Sequence, residues 1–284
     1  MKKVFILFGI MIFVLVSFHK ETHAQIIDGA YKREDLSKRK PVPLPYVREA
    51  DVMWSKKIWR VIDLREKMNQ VLYFPTKETE GRFNLINLLL RGIEDGQITA
   101  YDARTDDEFK VPITFEQVKE MFGATSRTRK VRDPLTGEMV DRVIQGEIRG
   151  EEVKQIMVKE EWYFDKQTST LNVRIVGICP IQEFYRDEDI NQTDAQRRQV
   201  FWVYYPEARD VLASNSVINS NNTARNMSFD DLFIKRYFNS YVVKESNTFN
   251  NRDISSYLSG REAMLESKRI ENEIFNFEQD LWEY

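Results

Sequence analysis

Between Ile156 and Ile175 two apolar runs alternate around a polar turn at Lys166 to Thr170, and no other stretch of the chain restricts its fold so tightly. Ile156, Val158, Trp162 and Phe164 share one face, and Leu171, Val173 and Ile175 share the matching face of the returning run. A period of two carried by β-branched and aromatic residues predicts an antiparallel hairpin. Cys179 falls in phase with the second run and reads as a buried apolar filler, not a nucleophile. As the only cysteine it permits no internal disulfide, so a hydrophobic core has to stabilise the chain.

Helical spacing is read elsewhere. From Asp51, a plausible N-cap, to Gln70, residues Met53, Trp54, Ile58, Val61, Ile62, Leu64, Met68 and Leu72 fall on one broad face at 100° per residue. Trp59 then projects to the opposite side with Val52, among Lys56, Asp63 and Glu66. It is either a partner site or covered by another part of the same chain. Arg65 lies inside the apolar stripe, where a buried guanidinium needs a carboxylate or carbonyl partner. Arg82 to Asp95 reads as a second helix stopped by Gly96 as a left-handed cap. Strands are expected at Ile98 to Tyr101 and Phe109 to Ile113, and Thr114-Phe115-Glu116-Gln117 is a capping box opening a helix to Phe122.

Residues 125 to 150 read as a long exposed hairpin around Asp133-Pro134-Leu135-Thr136-Gly137. Val200 to Tyr205 is a further strand ended by Pro206, and Met227 to Asp231 opens a capped helix that runs to Phe238. Asn215 to Asn226 is an asparagine-rich loop. The chain closes with a helix, Ser259 to Trp282, whose Ile270, Ile274, Phe277 and Leu281 form a narrow four-three-four seam for either the protein's own body or a partner helix. The expected fold is α+β, with small antiparallel sheets flanked by helices, an extended N-terminal arm and a long C-terminal helix.

Four segments follow. Residues 1–24 have the form of a cleaved signal peptide: Lys2 and Lys3, an apolar run from Val4 to Phe18, and Thr22-His23-Ala24 before the cut. Residues 25–50 are a basic arm in which Pro41, Pro43 and Pro45 fix extended backbone, either trailing in solvent or lying across another surface. Residues 51–214 form the α+β body, and residues 215–284 the loop, a second helical part and the terminal helix.

Both histidines, His19 and His23, fall in the leader, so the exported chain has no imidazole. A net charge of −3 argues against general nucleic-acid binding. Asp187-Glu188-Asp189 lacks the glycine-turn spacing of a calcium hand, and no cofactor, metal or catalytic residue is expected. The remaining enzymatic alternative is a carboxylate-dependent carbohydrate-active enzyme using Glu161 and Asp165. These share a strand face with Tyr163 while Glu160 points with Trp162, so no opposed pair is evident.

The block Asp51-Val52-Met53-Trp54-Ser55-Lys56-Lys57-Ile58-Trp59-Arg60-Val61-Ile62-Asp63-Leu64-Arg65-Glu66-Lys67-Met68-Asn69 resembles the signature of the GldN/PorN family of gliding-motility proteins, whose paralogue is GldO. Leu89-Leu90-Arg91-Gly92-Ile93-Glu94-Asp95-Gly96 and Val173-Arg174-Ile175-Val176-Gly177-Ile178 resemble further blocks of it. The resemblance implies a periplasmic, non-enzymatic component of the type IX secretion machinery. It implies ring assembly with the outer-membrane lipoprotein GldK (PorK) and contact with the periplasmic region of the inner-membrane motor protein GldM (PorM). The membrane would be met only through these partners. Candidate contact residues are Pro41, Pro43 and Pro45 of the arm, Val52, Trp59 and Asp63, and the terminal seam.

Overall fold

The block expected as the first helix is a strand, β1 (Val52–Asp63), in the computed structural model, which describes residues 38–79, 81–124, 127–132, 139–144, 146, 148–185, 195–217 and 227–281. The expected leader, the first part of the arm, most of the asparagine-rich loop and Asp187 to Asp189 lie outside the described residues. Ile58 to Ile62 are buried in succession, as in a strand covered on both faces, and such a run also satisfies a helical wheel. Its tryptophan and β-branched residues favour the strand, and long-range pairing decides it.

The chain continues through α1 (Gln70–Tyr73), α2 (Leu85–Glu94), β2 (Ala100–Asp102), β3 (Pro112–Ile113) and α3 (Phe115–Met121). The hairpin of β4 (Arg127–Arg132) and β5 (Met139–Ile144) precedes β6 (Val153–Asp165) and β7 (Thr170–Tyr185). Next come β8 (Ala195–Gln199), β9 (Phe201–Tyr204), α4 (Tyr205–Ser214), β10 (Ser216–Val217) and β11 (Met227–Ser228). The last elements are α5 (Phe229–Ile234), β12 (Tyr241–Glu245) and α6 (Gly260–Asp280). The architecture is α+β.

Local signals account for the helix starts. The Thr114 and Ser228 side chains each accept from the backbone N–H three residues on, in reciprocal capping boxes that open α3 and α5. The Asn84 side chain caps α2 by accepting from the Asn87 N–H, and Gly96 takes the left-handed conformation just past its end, with φ 70°.

The strands gather mainly into one eight-stranded antiparallel sheet of order β12-β1-β6-β7-β9-β2-β3, with β8 also on β7. The expected hairpin is its centre: β6 and β7 pair from Val153↔Gln182 to Asp165↔Thr170. Lys159 faces Gly177 while Glu160 faces Ile175, leaving Val176 as a bulge that shifts the phase by one residue. Ile175 and Ile178 therefore join the main core, while Cys179 is buried on the opposite face with Trp59, Val61, Met157, Ile181 and Trp202.

Neighbouring residues fall into different cores because successive side chains point to opposite faces. Ile62, Ile156 and Val158 pack with Leu85, Leu89, Leu212 and Phe233 of α2, α4 and α5. A third cluster joins Ile58 and Val242 to Ile270 and Ile274 of α6. Arg65, expected within an apolar stripe, is exposed just past β1 and donates to Asp63. The two turn a strand end outward where a helix was expected to continue inward.

Candidate interaction surfaces

Trp59 is a core residue, only 2% exposed, covered by other parts of the same chain and not open to a partner, the second of its two readings. Once residues 52–63 are a strand, alternation places its indole on the sheet face opposite α6. The ammonium groups of Lys244 and Lys159 lie 4.5 and 5.3 Å from its ring centroid. Asp107 ties both, at 3.3 Å to Lys244 and 3.5 Å to Lys159, and its carbonyl accepts a further 2.6 Å bond from Lys159. Burial holds the Lys159 pKa below the usual lysine value, against the pull of Asp107. Of its expected companions, Val52 is half-buried at the start of β1. Asp63 accepts from Arg65, whose hydrogen bond lowers its pKa to about 2 despite partial burial.

The terminal seam is also intramolecular. Ile270 and Ile274 are buried against Ile58, Val242 and Ile254, and Phe277 stacks on Trp54 with ring centroids 4.7 Å apart. Leu281, just past the helix, is half-buried. Arg60 holds the helix electrostatically, donating to Glu271 at 2.7 Å and to Glu160 at 3.2 Å. Glu160 is fully buried and also accepts from Arg236 at 2.8 Å and from the Trp162 indole at 3.1 Å. It is thus a structural anchor. Outward-facing Met264, Leu265 and Phe275 remain exposed on α6.

The described part of the arm lies on the body. Arg39 pairs with Asp231 at 2.8 Å, the Val42 carbonyl accepts from Arg209 at 2.6 Å, and the Pro45 carbonyl accepts from Arg174. Arg209 is itself buried and grips Asp230 with two bonds, at 2.9 and 3.1 Å, while the Tyr205 hydroxyl donates to the same carboxylate at 2.7 Å. Burial, and then the charge of Asp230, push the Tyr205 phenol above its ordinary pKa. Alternating prolines keep the arm extended, and anchoring through the Val42 and Pro45 carbonyls leaves the side chains of Val42, Leu44 and Tyr46 facing outward. Val42 is 66% and Tyr46 88% exposed, with Leu44 beside them; Pro43 and Pro45 are exposed and Pro41 is half-buried.

Neither the arginine–aspartate–tyrosine anchor nor the lysine pair over Trp59 was read from the sequence. An arginine on the buried face of an otherwise mixed helix, as Arg209 is between Ala208 and Leu212 of α4, is the one local hint.

The Cys179 thiol is fully buried, and burial raises its pKa. Among the described residues no group of histidine, cysteine, aspartate and glutamate is placed to hold a metal, and no helix is long and apolar enough to cross a membrane.

Residues 47–283 match the family described as gliding motility associated protein GldN. The chain belongs to the GldN family. No curated protein matches it. The family match takes in every strand and helix from β1 to α6, including the anchor beneath the arm, and begins one residue after Tyr46. As a GldN-family protein it is a component of the gliding-motility machinery and, by implication, of type IX secretion.

Proposed function

We propose that the chain is a non-enzymatic ring or scaffold subunit of the type IX secretion and gliding machinery, working in the periplasm on the inner side of the outer membrane. In this reading it binds the GldK/PorK-like lipoprotein, assembles with copies of itself and links to the periplasmic region of the GldM/PorM-like motor protein. It meets the membrane only through these partners. The observation that supports this most is the arm, whose carbonyls are fixed to the body while Val42, Leu44 and Tyr46 face outward. An exposed apolar strip on stiff, anchored backbone binds without the ordering cost of a free tail. The exposed residues of α6 offer a second surface, and a ring subunit needs at least two.

The test is co-purification of the full chain with the lipoprotein, run beside incubation with peptidoglycan fragments. A stoichiometric complex without bond cleavage supports the scaffold. Cleavage by the chain alone, or no complex, contradicts it.

A further inference from the structure

Trp59 and Trp202 form part of one cleft of about 200 Å³, bounded by the strap Ala103 to Asp107 and by Lys244 and Asp253. They are 2% and 1% exposed, and neither indole Nε1 has a hydrogen-bond partner. A buried N–H without an acceptor costs free energy, and the two side chains that carry these groups line the same cleft. Trp162 gives the internal comparison, since its indole is satisfied by Glu160.

We propose that this cleft binds a short uncharged stretch of polypeptide, whose carbonyls accept from the two indoles and whose amides donate to Asp106 and Asp253 at the rim. The volume is smaller than the usual range for cofactor sites, about 300 Å³ and upward, and suits a piece of backbone. Stacked sugars are disfavoured because the Trp59 face already carries Lys244 and Lys159, while the Trp202 ring meets the Phe109 ring at 5.9 Å. Anions are disfavoured because Asp107 already engages both lysines and two further aspartates line the rim. The strap is held at two places. Phe109, in the left-handed region at φ 58°, fills the space a side chain would need at Gly177, and Asp107 holds the lysines. Arg104 and Thr105 of the strap stay exposed at the rim of the cleft.

The experiment uses the full chain with ¹⁵N-labelled tryptophan indoles, titrated with N-acetyl-Gly-Ser-Gly-amide and, separately, with an N-acetylglucosamine tetramer. Trp202→Phe and Trp59→Phe assign the signals. If either variant unfolds, contacts to the Met157 methyl assign them in the wild type. The Trp59 and Trp202 signals should shift saturably with the peptide, at a dissociation constant of about 1 mM, while those of Trp54 and Trp162 stay in place. Thr105→Phe, at the exposed rim, gives up the hydroxyl's 2.8 Å bond to Asp102 and should weaken binding at least about tenfold while the chain stays folded, whereas Thr105→Val, which gives up the same bond without filling the rim, should bind as the wild type does. No saturable shift with the peptide, an equal or larger shift with the saccharide, or indifference to Thr105→Phe overturns the proposal.

Discussion

The two faces of the central sheet treat their tryptophan N–H groups in opposite ways. On the α6 face, Glu160 is surrounded by donors, with Arg60, Arg236 and the Trp162 indole all directed at it. On the strap face, the Trp59 and Trp202 indoles have no acceptor, while cations sit over the Trp59 ring. A satisfied network fastens elements of the same chain and specifies their packing. Unsatisfied donors on side chains that line a cleft cost the isolated fold free energy and are the better place to look for something that comes and goes.

The largest effect expected from this contrast is at Glu160. Glu160→Ala leaves Arg60 and Arg236 without their shared carboxylate and should cost about 3 kcal/mol in urea unfolding, at the low end for a broken buried pair because Arg236 is partly exposed. A loss under about 1 kcal/mol would remove the distinction between the faces.

Asp107→Asn, on the strap face, should cost about 1–2 kcal/mol, because Lys159 keeps the Asp107 carbonyl while Lys244 loses its carboxylate. Lys159 also supplies a pH signature. Its folded pKa lies below 10.5, so as pH rises through that lowered value toward 10.5 the native state gives up a proton that the unfolded chain retains, and stability rises. Because the raised pKa of the buried Tyr205 phenol makes stability fall as pH climbs above 10.0, the Lys159 contribution is read as wild type minus Lys159→Met, a difference that should rise across this alkaline range.

The smallest effect belongs to the half-exposed Asp63–Arg65 pair at the end of β1. Its folded pKa of about 2, against 3.8 for the free group, means the contribution is present above pH 4 and lost as pH falls toward 2. After solvent screening it is about 1 kcal/mol, so Asp63→Asn should flatten the acid limb of the stability profile only slightly.

What the sequence disclosed follows the range of the interactions involved. Capping at Thr114 and Ser228 is settled within four residues, and the β6–β7 hairpin across the four-residue turn between Asp165 and Thr170, so both could be read directly. Strand β1 is different: its partners are β6, about a hundred residues away, and β12, farther still, and its periodicity alone does not separate a doubly covered run from a helical stripe, its tryptophans and β-branched residues being the one local sign of a strand. The error propagated to Trp59 and Arg65, because a wrong period reverses which side chains point inward. The bulge at Val176 had a milder consequence, moving Cys179 to the other face while leaving it buried. The terminal seam was legible as a seam. Its target became legible only with Ile58 and Val242 in place.

The central claim, that this GldN-family chain holds partners through an anchored apolar arm, is tested most directly by the lipoprotein co-purification carried out with Val42→Asp, Leu44→Asp and Tyr46→Asp combined. These side chains point outward, so the melting temperature should stay near the wild-type value while the complex is lost. Full retention of the complex by a folded triple variant would contradict the account.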